Sequence, residues 1–225
     1  MHYPSEKNHS PYSNKIFLLF IVCILGFPSP TTAQLFRAEI TGGVAGSQIS
    51  GDELSGFNKA GIYAGLGVRT SLNKEFELGF RIVYFQKGSR QRLKSDEPDS
   101  SFYLLRLNYM EVPLTLRYSL SKSFYMEAGP SFGYLIKSSE QDEQGELNFR
   151  RPFSKFDLSI TGCFGYTITE KLDFNLGYYQ SIVPIREHAS GAIYRLNQGQ
   201  YSSVLTFTLL YTFKSNREEK PSEEK

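Results

Sequence analysis

Over residues 112–118 apolar side chains take every second position (Val112, Leu114, Leu116, Tyr118), with Thr115 and Arg117 between them, the period of a half-buried strand. After Leu120-Ser121-Lys122-Ser123 the alternation resumes. Phe124, Met126, Ala128, Pro130, Phe132, Tyr134 and Ile136 oppose Tyr125, Glu127, Gly129, Ser131 and Gly133. Residues 103–136 therefore predict a long β-hairpin. In its opening stretch Leu105, Leu107 and Tyr109 are apolar against Arg106 and Asn108, out of phase with residues 112–118. That predicts a bulge between Met110 and Pro113, where a residue without a ladder N–H is tolerated.

Six further runs repeat the pattern: Leu35 to Gln48, Lys59 to Leu72, Glu75 to Lys87, Phe156 to Thr169, Leu172 to Ile182 and Tyr201 to Phe213. Their connections alternate between very short (near Asn73, Ser121 and Glu170) and long (Ile49 to Asn58, Gly88 to Phe102, Lys137 to Lys155, Val183 to Gln200). An even strand number, short turns on one rim and long loops on the other predict an all-β, eight-stranded antiparallel up-and-down transmembrane β-barrel. Closure also removes every sheet edge, which lipid would not tolerate.

Alternation alone fits a secreted lipocalin-like barrel with an apolar interior equally well. Lysine separates the two readings. A solvated exterior would carry lysines, yet Lys59, Lys74, Lys87, Lys94, Lys122, Lys137, Lys155 and Lys171 fall in turns, loops and strand ends. Aromatics gather toward strand ends (Phe36, Tyr84, Tyr103, Tyr118, Phe124, Tyr134, Phe153, Phe156, Tyr211, Phe213), as interfacial girdles do.

Ahead of the barrel, Lys15 precedes an apolar run of 12 residues, Ile16 to Phe27, followed by small residues up to Ala33. The run is shorter than the ~20 residues a spanning helix needs, so 1–33 predicts a cleavable signal peptide, cut after Ala33. The barrel then occupies 34–213, and 214–225 (KSNREEKPSEEK) predicts a disordered, charged periplasmic tail. A net charge of +2 and no basic run interleaved with aromatics argue against nucleic acid. Cys23 lies in the leader and Cys163 stands alone, so the processed chain can form no intrachain disulfide.

On the polar face the ionisable residues are Arg37, Arg69, Arg81, Arg106 and Arg117 with Glu39, Glu77, Glu111, Glu127, Asp157 and Asp173. Buried charges must pair, and an eight-stranded barrel is just wide enough for side chains to fill. They predict a lumen charge network, a plug rather than an ion path. The mature chain has one histidine, His188, near Ser190 in the last long loop. No spacing motif links these two into a catalytic set, and no metal or cofactor site is expected.

Tyr109-Met110-Glu111-Val112-Pro113-Leu114 and Gly129-Pro130-Ser131-Phe132-Gly133-Tyr134, with Gly61-Ile62-Tyr63-Ala64-Gly65-Leu66 and Tyr84-Phe85-Gln86-Lys87-Gly88, resemble the PorT-type outer-membrane β-barrel family of Bacteroidetes. Tyr109, Glu111, Pro113, Gly129 and Pro130 carry the motif. The resemblance implies an exported cell-envelope barrel, with some members serving protein secretion. The function expected is a non-enzymatic scaffold in outer-membrane lipid whose loops, 137–155 and 183–200, contact a protein or glycan. The alternatives are a small-solute channel and a loop-sited enzyme.

Overall fold

The computed structural model describes residues 36–51, 56–91, 102–147, 151–187 and 199–213. The leader, the tail 214–225, Phe149, Arg150, His188, Ser190, Tyr194 and Arg195 lie outside the described residues. The strands are β1 (Phe36–Ser50), β2 (Lys59–Ser71), β3 (Phe76–Gln91), β4 (Tyr103–Ser119), β5 (Phe124–Asp142), β6 (Gly145–Glu146), β7 (Phe156–Thr169), β8 (Leu172–Ser181), β9 (Arg186–Glu187) and β10 (Gly199–Thr212). Eight of them pair antiparallel in the order β1-β2-β3-β4-β5-β7-β8-β10, and β1 pairs back onto β10 from Glu39↔Thr212 to Ser50↔Tyr201. The sheet closes as an eight-stranded up-and-down barrel. Two-residue β6 pairs antiparallel with the end of β5, and β9 with the start of β10.

The short-turn rim is built by one device used three times. Asn73 Oδ1 accepts from the N–H groups of Glu75 (2.9 Å) and Phe76 (2.8 Å). Ser121 Oγ accepts from Ser123 and Phe124, and Thr169 Oγ1 from Lys171 and Leu172. Such short polar side chains mimic a backbone turn and hold the hairpin register.

Outward positions carry the apolar residues, and they are open: Leu66 is 63% and Ile160 55% exposed. A wall of such residues is not a surface for water. The band ends toward the long-loop rim, where the outward phase changes to Gln48, Gln86, Asn108, Arg106 and Gln180.

Several sequence expectations change here. Strands β3 and β5 run on to Gln91 and Asp142, so their loops are shorter than read. No bulge interrupts β4. Leu105, Leu107, Tyr109, Glu111, Pro113, Thr115 and Arg117 all face inward in one phase. Pro113 sits in unbroken register between the pairs Val83↔Glu111 and Phe80↔Leu114. The irregularity lies opposite, in β5. Asn108 pairs Lys137 and Tyr109 pairs Leu135, so Ile136 is the extra residue. The apolar face does not jump strands; the surroundings change. Beyond the lipid band the interior itself becomes hydrophobic, with Ile49, Leu105, Leu107, Tyr109, Leu135, Phe153 and Ile185 packed together. Phe153 is buried and Tyr103 packs on this cluster, so neither belongs to the aromatic girdle.

Candidate functional site

The lumen is filled in layers. Nearest the short turns, Glu127 of β5 receives three arginines from neighbouring inward positions. Arg69 Nη2 lies 2.9 Å and Arg117 Nη2 2.7 Å from its Oε1, and Arg81 Nη2 lies 2.5 Å from its Oε2. Arg69 and Arg81 also grip Glu39 through their Nε atoms, at 3.0 and 2.5 Å. Arg117 reaches Asp173 (3.1 Å) and stacks over the Tyr125 ring at 3.5 Å. Arg37 pairs with Glu77 at the rim, where Arg69 and Arg117 stand 3.8 Å from the other oxygen of Glu77. Four arginines face four carboxylates, so the layer is neutral. Forked guanidiniums suit such shared, multidentate pairing.

Opposite this layer a cavity of about 20 Å³ borders Arg81 and Glu127 and is lined by Thr41, Thr161, Thr206, Thr208 and Asn175. It has room for about one water. Half-buried Cys163 also borders it.

The next layer is aromatic. Tyr63 and Tyr179 share a hydrogen bond (2.9 Å), and Phe85 packs edge-on to both. Above it Lys87 is fully buried between Glu111, which it contacts, and Asp157 (Nζ to Oδ2, 2.9 Å). Ser131 and Ser159 donate to these carboxylates at 3.0 and 3.2 Å. The hydrophobic cluster follows. Across its top Arg186 Nη1 meets Glu140 Oε2 at 3.1 Å, Tyr103 donates to Glu140 (2.5 Å), and the Arg186 guanidinium stands 4.5 Å from the Phe153 ring centre. Side chains thus close the bore near both rims.

Of the candidate network, Arg37, Glu39, Arg69, Glu77, Arg81, Arg117, Glu127 and Asp173 come together in one cluster, and Glu111 with Asp157 in a second. Arg106 is in neither. It is exposed on the outer face, because the strand keeps its phase through Met110. Lys87, Glu140 and Arg186 are not among the lumen candidates; Glu140 and Arg186 fall in the stretches read as contact loops, 137–155 and 183–200, and turn instead across the bore. Lys87 shares the phase of Arg81, Val83 and Phe85, so carrying the alternation two residues further reveals it. Its inward position also corrects the reading of that lysine as a strand-end residue. Tyr109, Glu111 and Pro113 of the motif line the bore, Gly129 lies half-buried, and Pro130 faces outward. Gly129 is dictated by closeness: a Cβ there would run into the Leu114 carbonyl.

Lys59, at the long-loop end of β2 and outside the lipid band, is buried beside Ser47, whose Oγ donates to the Lys59 carbonyl. Burial, with the Arg106 charge second, pushes its ammonium down to about 8. Among the described residues no group of His, Cys, Asp and Glu converges to hold a metal ion.

No curated protein matches the chain in sequence. Among solved structures, the attachment invasion locus protein Ail of Yersinia pestis is 14% identical with a TM-score of 0.47, covering 79% of this chain and 98% of that one. Neisserial surface protein A gives 14%, 0.47, 79% and 97%, and OprG from Pseudomonas aeruginosa 13%, 0.43, 81% and 98%. The family model described as "Outer membrane protein beta-barrel domain" matches residues 32–187, more than half of the chain. With a closed barrel, an apolar outer band and that match in hand, the chain belongs to the outer membrane protein beta-barrel domain family and is a protein of the outer membrane.

Proposed function

We propose that this protein is a non-enzymatic outer-membrane scaffold, closed to solutes, that acts through what its long-loop rim presents to a protein or glycan partner. The observation that carries the reading is the filled bore: a neutral cluster centred on Glu127 at one level and the Phe153–Ile185 cluster at another. A barrel that conducts nothing has its exposed ends left to work with. Barrels of this kind place short turns in the periplasm and long loops outside, so the rim carrying Arg151, Arg186 and Glu187 is the outer one. The motif Tyr109 to Leu114 and Gly129 to Tyr134 supports a PorT-type role within a secretion or envelope assembly. The leader 1–33 supports export.

The test has two arms. Full-length protein in planar bilayers should show no steady pore; stable conductance of hydrated sugars would favour the channel reading instead. Separately, residues 142–151 and 188–198 are each replaced by Asn-Gly, leaving Phe153 and Ile185 in place. The shortened barrels should still fold and should lose partner recovery from the native envelope. Unchanged partners and envelope phenotype for both would refute a role for the loops.

A further inference from the structure

We propose that the layer of Lys87, Glu111 and Asp157 is a binding site for one proton, held by the two carboxyl groups at neutral pH, so that the bore is sealed by a protonated acid as well as by ion pairs. Among the described residues the other layers of paired charge balance. The four arginines around Glu127 face four carboxylates, and Arg186 faces Glu140. Between these levels one ammonium, that of Lys87, meets two carboxyl groups on β4 and β7. With both ionised, the layer would keep one uncompensated negative charge. Lys59, the other inward lysine, feels the charge of Arg106 and of neither carboxylate, so it does not supply the balance.

The surroundings make that charge untenable. Lys87, Glu111 and Asp157 are each 0% exposed. Val83, Phe85 and the Tyr63–Tyr179 pair pack on one side of them, and Leu105, Leu107 and Leu135 on the other. The remaining ionisable groups close to Glu111 or Asp157 are the hydroxyls of Tyr109, Tyr63 and Tyr179, none of which carries positive charge. A lone carboxylate between two apolar layers is so costly that it takes up a proton instead. The layer is also short of hydrogens. Ser131 and Ser159 each donate to one carboxyl oxygen, but Glu111 Oε1 lacks a well-formed hydrogen bond and the buried Tyr109 hydroxyl has none. Orphaned buried oxygens call for a donor, and the added proton is one. Glu111 Oε1 and the Tyr109 ring crowd together over Gly133, 3.1 and 3.2 Å from where its Cβ would stand. Among the described residues no third Asp, Glu, His or Cys joins the pair to hold a metal ion, and a proton is the cation that needs no room.

The test is the infrared spectrum of the full-length folded protein in detergent at pH 7, where exposed carboxyls are ionised and a protonated carboxyl gives a C=O stretch above the amide band. The wild type should show that band at the intensity of one carboxyl per chain. Glu111→Gln and Asp157→Asn should each abolish it, because the acid left behind pairs one to one with Lys87. Lys87→Met, which leaves two acids with no cation, should double it, and Lys87→Arg should leave it unchanged. A layer that serves packing alone moves none of these intensities. Should one acid variant fail to fold, the other decides. Should both fail, wild-type protein isotopically labelled at the carboxyl carbon of aspartate alone or of glutamate alone identifies the acid without any substitution. A wild type without the band, a band that survives both acid substitutions, or one that shifts with neither label overturns the proposal.

Discussion

Glu127 is the residue on which the lower bore turns, because it compensates three arginines that have no other route to water. Glu127→Gln should cost ~3–5 kcal/mol, the penalty for stranding buried charge, whereas Arg37→Gln, at a partly exposed pair, should cost less than ~1 kcal/mol. Urea unfolding of the two variants checks the difference. Lys59 gives a pH signature of known sign. Its folded value, about 8, is below the ordinary 10.5, so between those limits the unfolded chain binds more protons and stability rises with pH. Unfolding midpoints should climb from pH 8 to pH 10 in the wild type, and Lys59→Gln should remove that part of the climb.

At the scale of the element, alternation held wherever lipid surrounds the wall, which is why Arg69, Arg81, Glu39 and Glu127 could be placed inward from sequence alone. It misled at the long-loop end. There water surrounds the wall and the greasy side of β4 is its inner side, so Leu105, Leu107 and Tyr109 mimic a phase jump and the pattern reads Arg106 as facing the bore. Hydrophobicity reports contrast with the surroundings, and one sequence does not mark where those surroundings change. Gly88 adds to this. It holds a φ of 143° in β3 against the Leu105 carbonyl, in a stretch that reads as loop by composition. The β5 bulge yields a sharp prediction. Deleting Ile136 leaves Leu135 inward, Lys137 outward and Ser138 inward in a regular strand, so it should cost no more than ~1 kcal/mol, the scale of ordinary surface changes. Deleting Phe132 inverts every neighbour up to the bulge and should abolish the heat-modifiable folded band on gels.

For the whole molecule, closure at several successive levels predicts that no single breach opens a path. Phe153→Ala with Ile185→Ala removes the upper seal but leaves the Glu127 cluster, and bilayer conductance should stay at the wild-type level. Adding Tyr63→Ala, Tyr179→Ala and Lys87→Ala as well as Arg81→Ala, which thins every layer above the cavity, should yield measurable ion current. A current from the upper change alone would show that the lower layer is permeable.

The seam between β1 and β10 joins the first described strand to the last, Glu39 to Thr212. Loop-closure entropy makes such a distant pairing slow to form, and until β10 is in place the nascent sheet has two bare edges able to recruit other chains. The barrel is therefore all-or-none in time as well as in space. Its assembly waits on the final strand, and the open form exposes its edges up to that moment. Removing residues 199–213 would leave an aggregation-prone ribbon instead of a smaller barrel.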